Sequence, residues 1–320
     1  MFDIDAVQTL ITATLHCDAV LIAGPTASGK SAAAALLAER VSGVVINADS
    51  MQVYREAPIL TAQPSAAARA KVPHLLYGHV GAREGYSVGR YLEDARGALA
   101  AARAMERLPI FVGGTGLYFT ALTEGLAEIP LVPPEVRAAA RALITEIGPQ
   151  ELHVRLRRRD PETAARLRPG DRLRVARAWE VLEATGRPLV QWQKRGGAPI
   201  LKGPAIVRLA IDPPRAVLGV RIRDRFETML NEGALEEARA LQDLDSSLPA
   251  AKLLGLRPLI ALAKGRLSRM DAVTQATTAT RQFAKRQSTW FRNRMADYIF
   301  VNNIEEILLR NYGNSSNEIA

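Results

Sequence analysis

Short apolar runs alternate with longer amphipathic segments through the first third of the chain. The runs at 19–23, 43–47 and 108–114 are too short for buried helices and are typical of buried parallel strands. The segments at 31–40 and 88–107 suit helices. Because strands that alternate with helices build parallel sheets with right-handed crossovers, the pattern predicts an α/β fold.

The pattern changes at the proline-rich stretch "EIPLVPPEVR", after which the periodicity is mostly helical from about 134 to 192. The glycines and prolines of "KRGGAPILKGP" interrupt this helical pattern. Strand character returns in "AIVRLAID" (205–212), and helical segments follow to about 296. We therefore predict an α/β core formed by residues 1–128 together with 203–320, interrupted by a helical insertion at 129–202.

The charge balance indicates the chemical class of the binding partner. Lys and Arg residues number 42 and Asp and Glu residues 33, which gives a net charge of +9. A basic balance favours a polyanionic partner, although net charge alone describes attraction rather than a site. The 48% apolar and 23% charged content is ordinary for a globular enzyme.

Cysteine content and hydropathy indicate the cellular compartment in which the protein works. The single cysteine, Cys17, excludes an intramolecular disulfide framework and fits a reducing compartment, and with only four His residues the sequence argues against a zinc site. The N-terminus "MFDIDAVQTL" carries acids where a secretory signal has basic residues. No stretch approaches the ~20 apolar residues of a membrane span. We expect a cytoplasmic, monomeric protein with no membrane partner.

The stretch "GPTASGKS" (24–31) matches the phosphate-binding loop G-x-x-x-x-G-K-[ST], between a predicted strand and a predicted helix. Glycines let backbone amides converge on phosphate oxygens, Lys30 would neutralise the outer phosphate, and the Ser31 hydroxyl would ligate Mg²⁺. The alternative is a turn that matches by chance. The residues expected to hold phosphates are Gly24, Thr26, Ala27, Ser28, Gly29, Lys30 and Ser31.

The loop alone does not settle the reaction. A nucleotide hydrolase usually adds a strand-terminal acid for Mg²⁺, and the comparable residue here is Asp212, at the end of "AIVRLAID". The two prolines that follow Asp212 also suit an ordinary end of a strand. At this point both interpretations of Asp212 stay open.

Two polar residues follow predicted strands. Asp49 comes just after 43–47, and Thr115 lies in "GGTGLY" after the run at 108–114. Because the carboxyl ends of parallel strands share the edge where ligands bind, both should point toward the phosphate loop. The alternatives are an N-cap for Asp49 and a cap at a glycine turn for Thr115.

Five motifs in matching order resemble the tRNA dimethylallyltransferase (tRNA isopentenyltransferase) family. They are "GPTASGKS", "ADSMQVY", "VGGTGLYF", "ATGRPL" with Trp192, and "TRQFAKRQSTWFR", and they span about residues 19–300. The resemblance implies a P-loop NTPase-like parallel sheet core with a helical tRNA-binding insertion. It also implies that the five-carbon group of dimethylallyl diphosphate is transferred to N6 of adenosine 37 in tRNA, with Mg²⁺ as cofactor. The phosphate loop then holds a diphosphate leaving group.

The same resemblance implies roles for individual residues. Asp49 is the general base that takes the proton from the weakly nucleophilic N6 amine, and Thr115 aligns the adenine or the reacting end of the diphosphate. Arg221 contacts the diphosphate, with Arg225, one helical turn further on, as the alternative. The expected tRNA contacts are Asp49, Ser50, Met51, Gln52, Arg174, Arg177, Arg281, Lys285, Arg286 and Arg292.

Two basic segments carry most of these tRNA contacts. Residues 155–177 contain nine arginines and three acids, which favours a nucleic-acid surface over a merely solvated helical face. Residues 273–296 contain no acid. On a helix the basic face of this second segment consists of Arg281, Lys285, Ser288 and Arg292. Phe283 and Trp290 share another face, and we expect them in the core rather than stacked on bases.

Three alternatives explain part of the sequence. A small-molecule P-loop kinase accounts for the loop and the sheet but not for the arginine-rich insertion or "DSMQVY". An adenylate isopentenyltransferase shares the chemistry but does not need the basic insertion. A non-catalytic RNA-binding module leaves the phosphate loop without a purpose. The tRNA-modifying enzyme accounts for all of these features.

Overall fold

The computed structural model describes residues 17–303, so the N-terminal decapeptide used above lies outside the described residues. Its centre is one six-stranded sheet with the order β3-β2-β4-β1-β5-β6, in which all five strand pairings are parallel. The strands are β1 (Ala19–Ala23), β2 (Gly43–Asn47), β3 (His74–Leu75), β4 (Leu108–Gly113), β5 (Ile206–Ile211) and β6 (Ile299–Val301). The α/β prediction is confirmed.

Twelve helices accompany the sheet in residues 17–303. They are α1 (Lys30–Arg40), α2 (Ala66–Lys71), α3 (Val88–Ala104), α4 (Gly116–Glu124), α5 (Pro134–Arg159), α6 (Pro161–Ala165), α7 (Arg172–Thr185), α8 (Leu189–Lys194), α9 (Arg215–Glu232), α10 (Ala234–Ala240), α11 (Leu256–Ala263) and α12 (Arg269–Arg294). A 3₁₀ turn covers Pro249–Lys252. None of these described helices is long and apolar enough to cross a membrane.

The chain folds as two compact units. Within the described residues, one unit comprises 17–122 with 200–303 and contains the sheet, and the other is Thr123–Pro199. The sequence placed these boundaries a few residues later, at 128/129 and 202/203. The prolines of "EIPLVPPEVR" mark a change in the hydrophobic pattern, but the second compact unit already begins at Thr123, within α4.

Apolar burial explains the sheet. Every residue of β1 and β2 is buried, as continuous apolar strands covered on both faces require. Helix α1 packs Ala33, Ala34 and Leu37 into the same core. The register aligns Ala23 with Gly113 and Asn47 with Val112, so β1, β2 and β4 end at one edge. The chain segments that leave this edge carry the candidate site.

The sequence does not predict β3 or β6. Two and three residues are too few to show hydrophobic periodicity, and only pairing with a neighbour defines them as strands. Strand β3 pairs with Val45 and Ile46 of β2, and β6 pairs with β5 at the opposite edge of the sheet.

The unit 123–199 is helical, as its periodicity indicates. Helix α5 is interrupted at Gly148 (φ 78), which Pro149 follows. Leu156, Val181 and Leu182 contribute to one buried cluster of this unit, and Leu152 and Val175 contribute to another. Polar and basic residues on the outer faces of α5 and α7 remain exposed.

Candidate active site

The phosphate loop lies between β1 and α1 and depends on two left-handed backbone positions. Ala27 (φ 64) and Gly29 (φ 94) turn the chain so that α1 begins at Lys30. Gly24 has no room for a side chain, because a Cβ there would lie 2.6 Å from the carbonyl oxygen of Ile211. The loop therefore presents the N-terminus of α1, the positive end of the helix dipole, to the edge of the sheet.

Lys30 is the buried cation of this loop. Its Nζ donates a hydrogen bond to the carbonyl oxygen of Pro25 at 3.2 Å, and the residue is 7% exposed. Loss of hydration lowers the pKa of Lys30 to about 8, although the carboxylate of Asp49 opposes this shift and the guanidinium of Arg225 adds to it. An anionic ligand would relieve the cost of burying this charge.

Arg221 and Arg225 on α9 reach the same loop. Arg221 donates to the Ser28 carbonyl oxygen at 3.3 Å, and Arg225 donates to Thr26 Oγ1 at 3.5 Å and to the Thr61 carbonyl oxygen at 3.4 Å. Burial lowers the pKa of Arg225, while Asp49 opposes the shift. A cavity of about 420 Å³ is lined by Ala27, Ser28, Gly29, Lys30, Ser31, Ala32, Arg221, Arg225 and Asn303. The structure thus brings to the cavity both arginines between which the sequence left a choice.

Asp49 lies just beyond β2 and is held by a local turn. Its N–H donates to Asn47 Oδ1 at 2.8 Å, and the Asn47 side-chain amide donates to the carbonyl oxygen of Asp49 at 2.9 Å. Asp49 Oδ1 accepts the N–H of Met51 at 2.9 Å in a local Asx turn, and no helix begins at this point, so Asp49 is not the helix N-cap held open as the alternative. The second carboxylate oxygen, Oδ2, faces the turn at Gly114. If Gly114 carried a Cβ, that atom would lie 3.1 Å from Oδ2. The turn therefore uses one carboxylate oxygen of Asp49 and leaves the other directed to the sheet edge.

Thr115 joins the chain segments that follow β2 and β4. Its N–H donates to the Ala48 carbonyl oxygen at 3.2 Å, and its Oγ1 accepts the Ser50 N–H at 2.9 Å. Thr115 Oγ1 also donates to Ser50 Oγ at 3.1 Å. These bonds fix the segment that carries Asp49 against the glycine turn.

Gln52 is the most buried residue of the segment 49–52. Its Nε2 donates to the carbonyl oxygens of Thr61 and Ala62 at 2.9 Å and 2.8 Å. Ser50 and Met51 are half-buried. Gln52 therefore holds the loop that also supplies the Thr61 acceptor of Arg225.

Gln287 on α12 is a site residue that the sequence-based set lacks. Its Oε1 accepts the N–H of Thr26 at 2.9 Å, and its Nε2 donates to the carbonyl oxygen of Gly114 at 2.8 Å. The signal for it is periodicity, because Gln287 is a polar residue on the buried stripe that also contains Ala284 and Phe291.

Asp212 holds α12 against the end of β5. Ser288 Oγ donates to Asp212 Oδ1 at 2.7 Å, and Arg292 donates to Oδ2 through Nε at 2.8 Å and Nη2 at 2.7 Å. Because both carboxylate oxygens are engaged, Asp212 fits the strand-end interpretation and not the role of a Mg²⁺ ligand. Ser288 and Arg292, assigned above to the basic face, are directed to Asp212.

The exposed side of α12 is basic and carries an aromatic ring. Arg281, Lys285 and Arg286 are exposed. A groove on this side is lined by Gln282, Lys285, Arg286, Thr289, Trp290, Asn293 and Arg294. Phe283 and Trp290, which we expected in the core, are half-buried: Trp290 packs on Gly116 and also lines this groove, whereas Phe291 is fully buried.

Comparison with known proteins assigns the chain to a family. A family model described as IPP transferase matches residues 52–294. A protein of Azorhizobium caulinodans named tRNA dimethylallyltransferase is 52% identical over 283 residues, which cover 88% of this chain and 91% of the relative. The chain belongs to the IPP transferase family.

Further members of the IPP transferase family agree with this assignment. A tRNA dimethylallyltransferase of Rhodopseudomonas palustris is 51% identical over 285 residues, covering 88% of this chain and 90% of the relative. The crystal structure of a tRNA isopentenylpyrophosphate transferase from Bacillus halodurans has a TM-score of 0.63 at 30% identity, covering 93% of this chain and 95% of that one. A eukaryotic dimethylallyltransferase described as acting on tRNA has a TM-score of 0.77 at 25% identity, covering 94% and 77% of the two chains.

In this member of the IPP transferase family, the arginines of the unit 123–199 form local ion pairs. Arg174 lies 3.5 Å from Asp171 and Arg177 lies 3.4 Å from Glu180, with side chains that are 76% and 41% exposed. Arg155, Arg159 and Arg166 pair with Glu151, Glu183 and Glu162. Solvent screens the pairs that lie on the surface, so they contribute little to stability and phosphate groups can compete for these arginines.

Proposed function

We propose that this protein transfers the dimethylallyl group of dimethylallyl diphosphate to N6 of adenosine 37 in tRNA. One observation supports this best: the Asp49 carboxylate, with one oxygen uncommitted to the local turn, lies at the same sheet edge as a phosphate loop. The family and the names of its members supply the substrate class. The site then contains a proton acceptor next to a holder for a diphosphate leaving group.

In the proposed reaction N6 of the adenine attacks the first carbon of the dimethylallyl group. The bond between that carbon and the diphosphate oxygen breaks, and its electron pair leaves with the diphosphate. Asp49 accepts the proton that N6 loses, an effect typically worth ~10²–10⁴-fold in rate. Thr115 keeps the Asp49 segment in place through its two bonds to Ser50 and aligns the reacting groups.

Charge neutralisation is the second requirement, because negative charge on the diphosphate grows as the carbon–oxygen bond breaks. Lys30, Arg221 and Arg225 supply three cationic groups to the cavity beside the loop. Ser28 Oγ is buried and has no hydrogen-bond partner among residues 17–303, so its hydroxyl can donate a hydrogen bond to a phosphate oxygen. The proposed diphosphate site is the loop 24–31 with both arginines.

Mg²⁺ fits this site in its donor chemistry. It commonly takes one or two protein oxygens and completes its shell with phosphate oxygens and water. Ser31 is exposed in the first turn of α1 and offers such an oxygen. In residues 17–303 no group of three His, Cys, Asp or Glu side chains could hold a metal by itself. Mg²⁺ would therefore bind together with the diphosphate and neutralise part of its charge.

For tRNA we propose the arginines of the unit 123–199 and the basic side of α12 as contact surfaces. The first surface is represented by Arg174, which is exposed, and Arg177, which is half-buried, and the second by the exposed residues Arg281, Lys285 and Arg286. Their charge suits phosphate contacts, which fix position without reading sequence. We further propose that the enzyme acts as a monomer in the cytoplasm, where its tRNA substrate is found.

Binding of dimethylallyl diphosphate should weaken as the pH rises above about 8, the pKa of Lys30 in the free protein. The bound anion favours protonated Lys30, so the pKa is higher in the complex than in the free protein. The affinity for the diphosphate is then highest below the pKa of Lys30 in the free protein. It falls by up to about tenfold per pH unit between that pKa and the higher pKa in the complex. Titration calorimetry on both sides of pH 8 measures this. The Lys30→Met variant should lose the slope, and an unchanged slope would assign the titration to another group.

Replacing both Arg174 and Arg177 with Ala should weaken tRNA binding and flatten its salt dependence. Each lost phosphate contact reduces the slope of log K against log salt concentration by about one unit. Binding curves at several salt concentrations measure this slope. Arg96→Ala with Arg103→Ala, two exposed positions on α3, is the control that removes equal charge. Superimposable lines for wild type and the Arg174/Arg177 variant would mean that these arginines contact only solvent.

Paired incubations with labelled substrates test the proposed reaction against the kinase alternative. Label from the hydrocarbon part of dimethylallyl diphosphate should enter tRNA, and label from the terminal phosphate of ATP should enter neither tRNA nor a small molecule. Transfer of phosphate without transfer of the hydrocarbon would replace the proposal with a kinase.

A further inference from the structure

Gln287 connects two loops that leave neighbouring strands. One is the phosphate loop after β1, through the N–H of Thr26, and the other is the glycine turn after β4, through the carbonyl oxygen of Gly114. Strands β1 and β4 are adjacent and parallel, with Ala23 opposite Gly113, and just beyond β1 the N–H of Gly24 donates to the carbonyl oxygen of Gly113 at 3.3 Å. The Gln287 side chain continues the connection beyond that point.

The backbone of Gln287 is itself fixed. The next residue, Ser288, donates to the buried carboxylate of Asp212, and Arg292 binds the same carboxylate one turn later. Trp290 packs on Gly116, where an added Cβ would lie 2.1 Å from its ring atoms. Because α12 is held at these points, the amide of Gln287 has little freedom to follow a loop that moves.

Gly114 lies beside the reacting carboxylate. A Cβ on Gly114 would be 3.1 Å from Asp49 Oδ2 and 2.2 Å from Gln287 Nε2, so the amide and the carboxylate flank the same glycine. Any change in the distance from Thr26 to Gly114 therefore changes the distance from the diphosphate site to Asp49. Misplacement of about 1 Å can lower a transfer rate about a hundredfold.

We infer that Gln287 is a positioning residue that sets the separation between the phosphate loop and the Asp49 carboxylate. Its amide suits this role because one end accepts and the other donates, and the two loops offer one N–H and one carbonyl oxygen. The inference rests on the proposed function, since it assigns Gln287 to the geometry of that transfer.

Two substitutions separate positioning from simple stability. Gln287→Met keeps the length of the side chain and removes both hydrogen bonds, and we expect kcat to fall by about tenfold or more while tRNA affinity stays within about twofold. Gln287→Glu keeps the acceptor for Thr26 but places a carboxylate against the carbonyl oxygen of Gly114. A protonated carboxyl group restores both bonds, since its carbonyl oxygen accepts and its O–H donates.

The decisive readout is the ratio of kcat for Gln287→Glu to kcat for wild type across pH. Burial and the neighbouring Asp49 raise the pKa of the introduced carboxyl group, and the cations Lys30 and Arg225 at the phosphate loop oppose this shift. Because only the protonated form can donate to the Gly114 carbonyl oxygen, we expect the ratio to rise as the pH falls. Gln275→Glu, an exposed position on the same helix, is the matched control and should give a flat ratio near one. A flat ratio for Gln287→Glu, or wild-type kcat for Gln287→Met, would overturn the inference. Wild-type protein that prenylates no tRNA would instead remove the proposed function.

Discussion

The variant Asp49→Asn is expected to lower kcat for prenyl transfer to tRNA by about a hundredfold or more, with tRNA affinity little changed. The structure explains why the substitution is selective. An asparagine oxygen still accepts the N–H of Met51, and the bonds between Asn47 and the backbone of residue 49 do not involve the side chain that is replaced. The loop keeps its shape, and only the proton acceptor is lost.

Single-turnover kinetics with saturating substrates measure this effect on the chemical step. Asp224→Asn, an exposed carboxylate on α9, is the control for the loss of one negative charge. If the Asp49→Asn enzyme turned over at a rate close to wild type, Asp49 would not be the base.

Removal of the loop cation should have the second large effect. Lys30→Ala is expected to lower kcat/KM for dimethylallyl diphosphate by about a hundredfold, comparable to the loss of one preorganised donor at a developing negative charge. Lys30 is buried against the loop, so its charge acts where water screens it poorly. Unchanged tRNA affinity should accompany the loss, because Lys30 lines the cavity beside the phosphate loop.

Lys30→Met distinguishes lost charge from lost volume. It retains most of the aliphatic stem and should be nearly as defective as Lys30→Ala, whereas Lys71→Ala, at an exposed position, should match wild type. Recovery of activity in the methionine variant would show that a cavity, and not the missing charge, caused the defect.

The sheet and the residues at its edge could be predicted because each depends on local signals. The strands β1, β2 and β4 are apolar runs, and the loop 24–31 has fixed spacing of glycines and a lysine. Parallel pairing then places Asp49 and Thr115 near the loop without further information. The roles of these residues stay predictions until the variants are measured.

Long-range partners explain what the sequence did not reveal. Gln287 contacts Thr26 and Gly114, which lie 261 and 173 positions away, and no local pattern encodes such pairs. The pairing of Asp212 with Ser288 and Arg292 was hidden for the same reason. Helical periodicity predicts core positions for Phe283 and Trp290. Tertiary packing instead buries Phe291 fully and leaves Trp290 half-buried beside a basic groove.

We propose above all that a dimethylallyl group, and not a phosphoryl group, is transferred to an adenine of tRNA. Mass spectrometry of nucleosides tests it most directly, after the purified protein has been incubated with unmodified tRNA, dimethylallyl diphosphate and Mg²⁺. We predict one new nucleoside, an adenosine in which a dimethylallyl group replaces one hydrogen on N6. It should lie at position 37 and be absent when either substrate is omitted. Unchanged tRNA nucleosides, or the same modification on free AMP in place of tRNA, would contradict it.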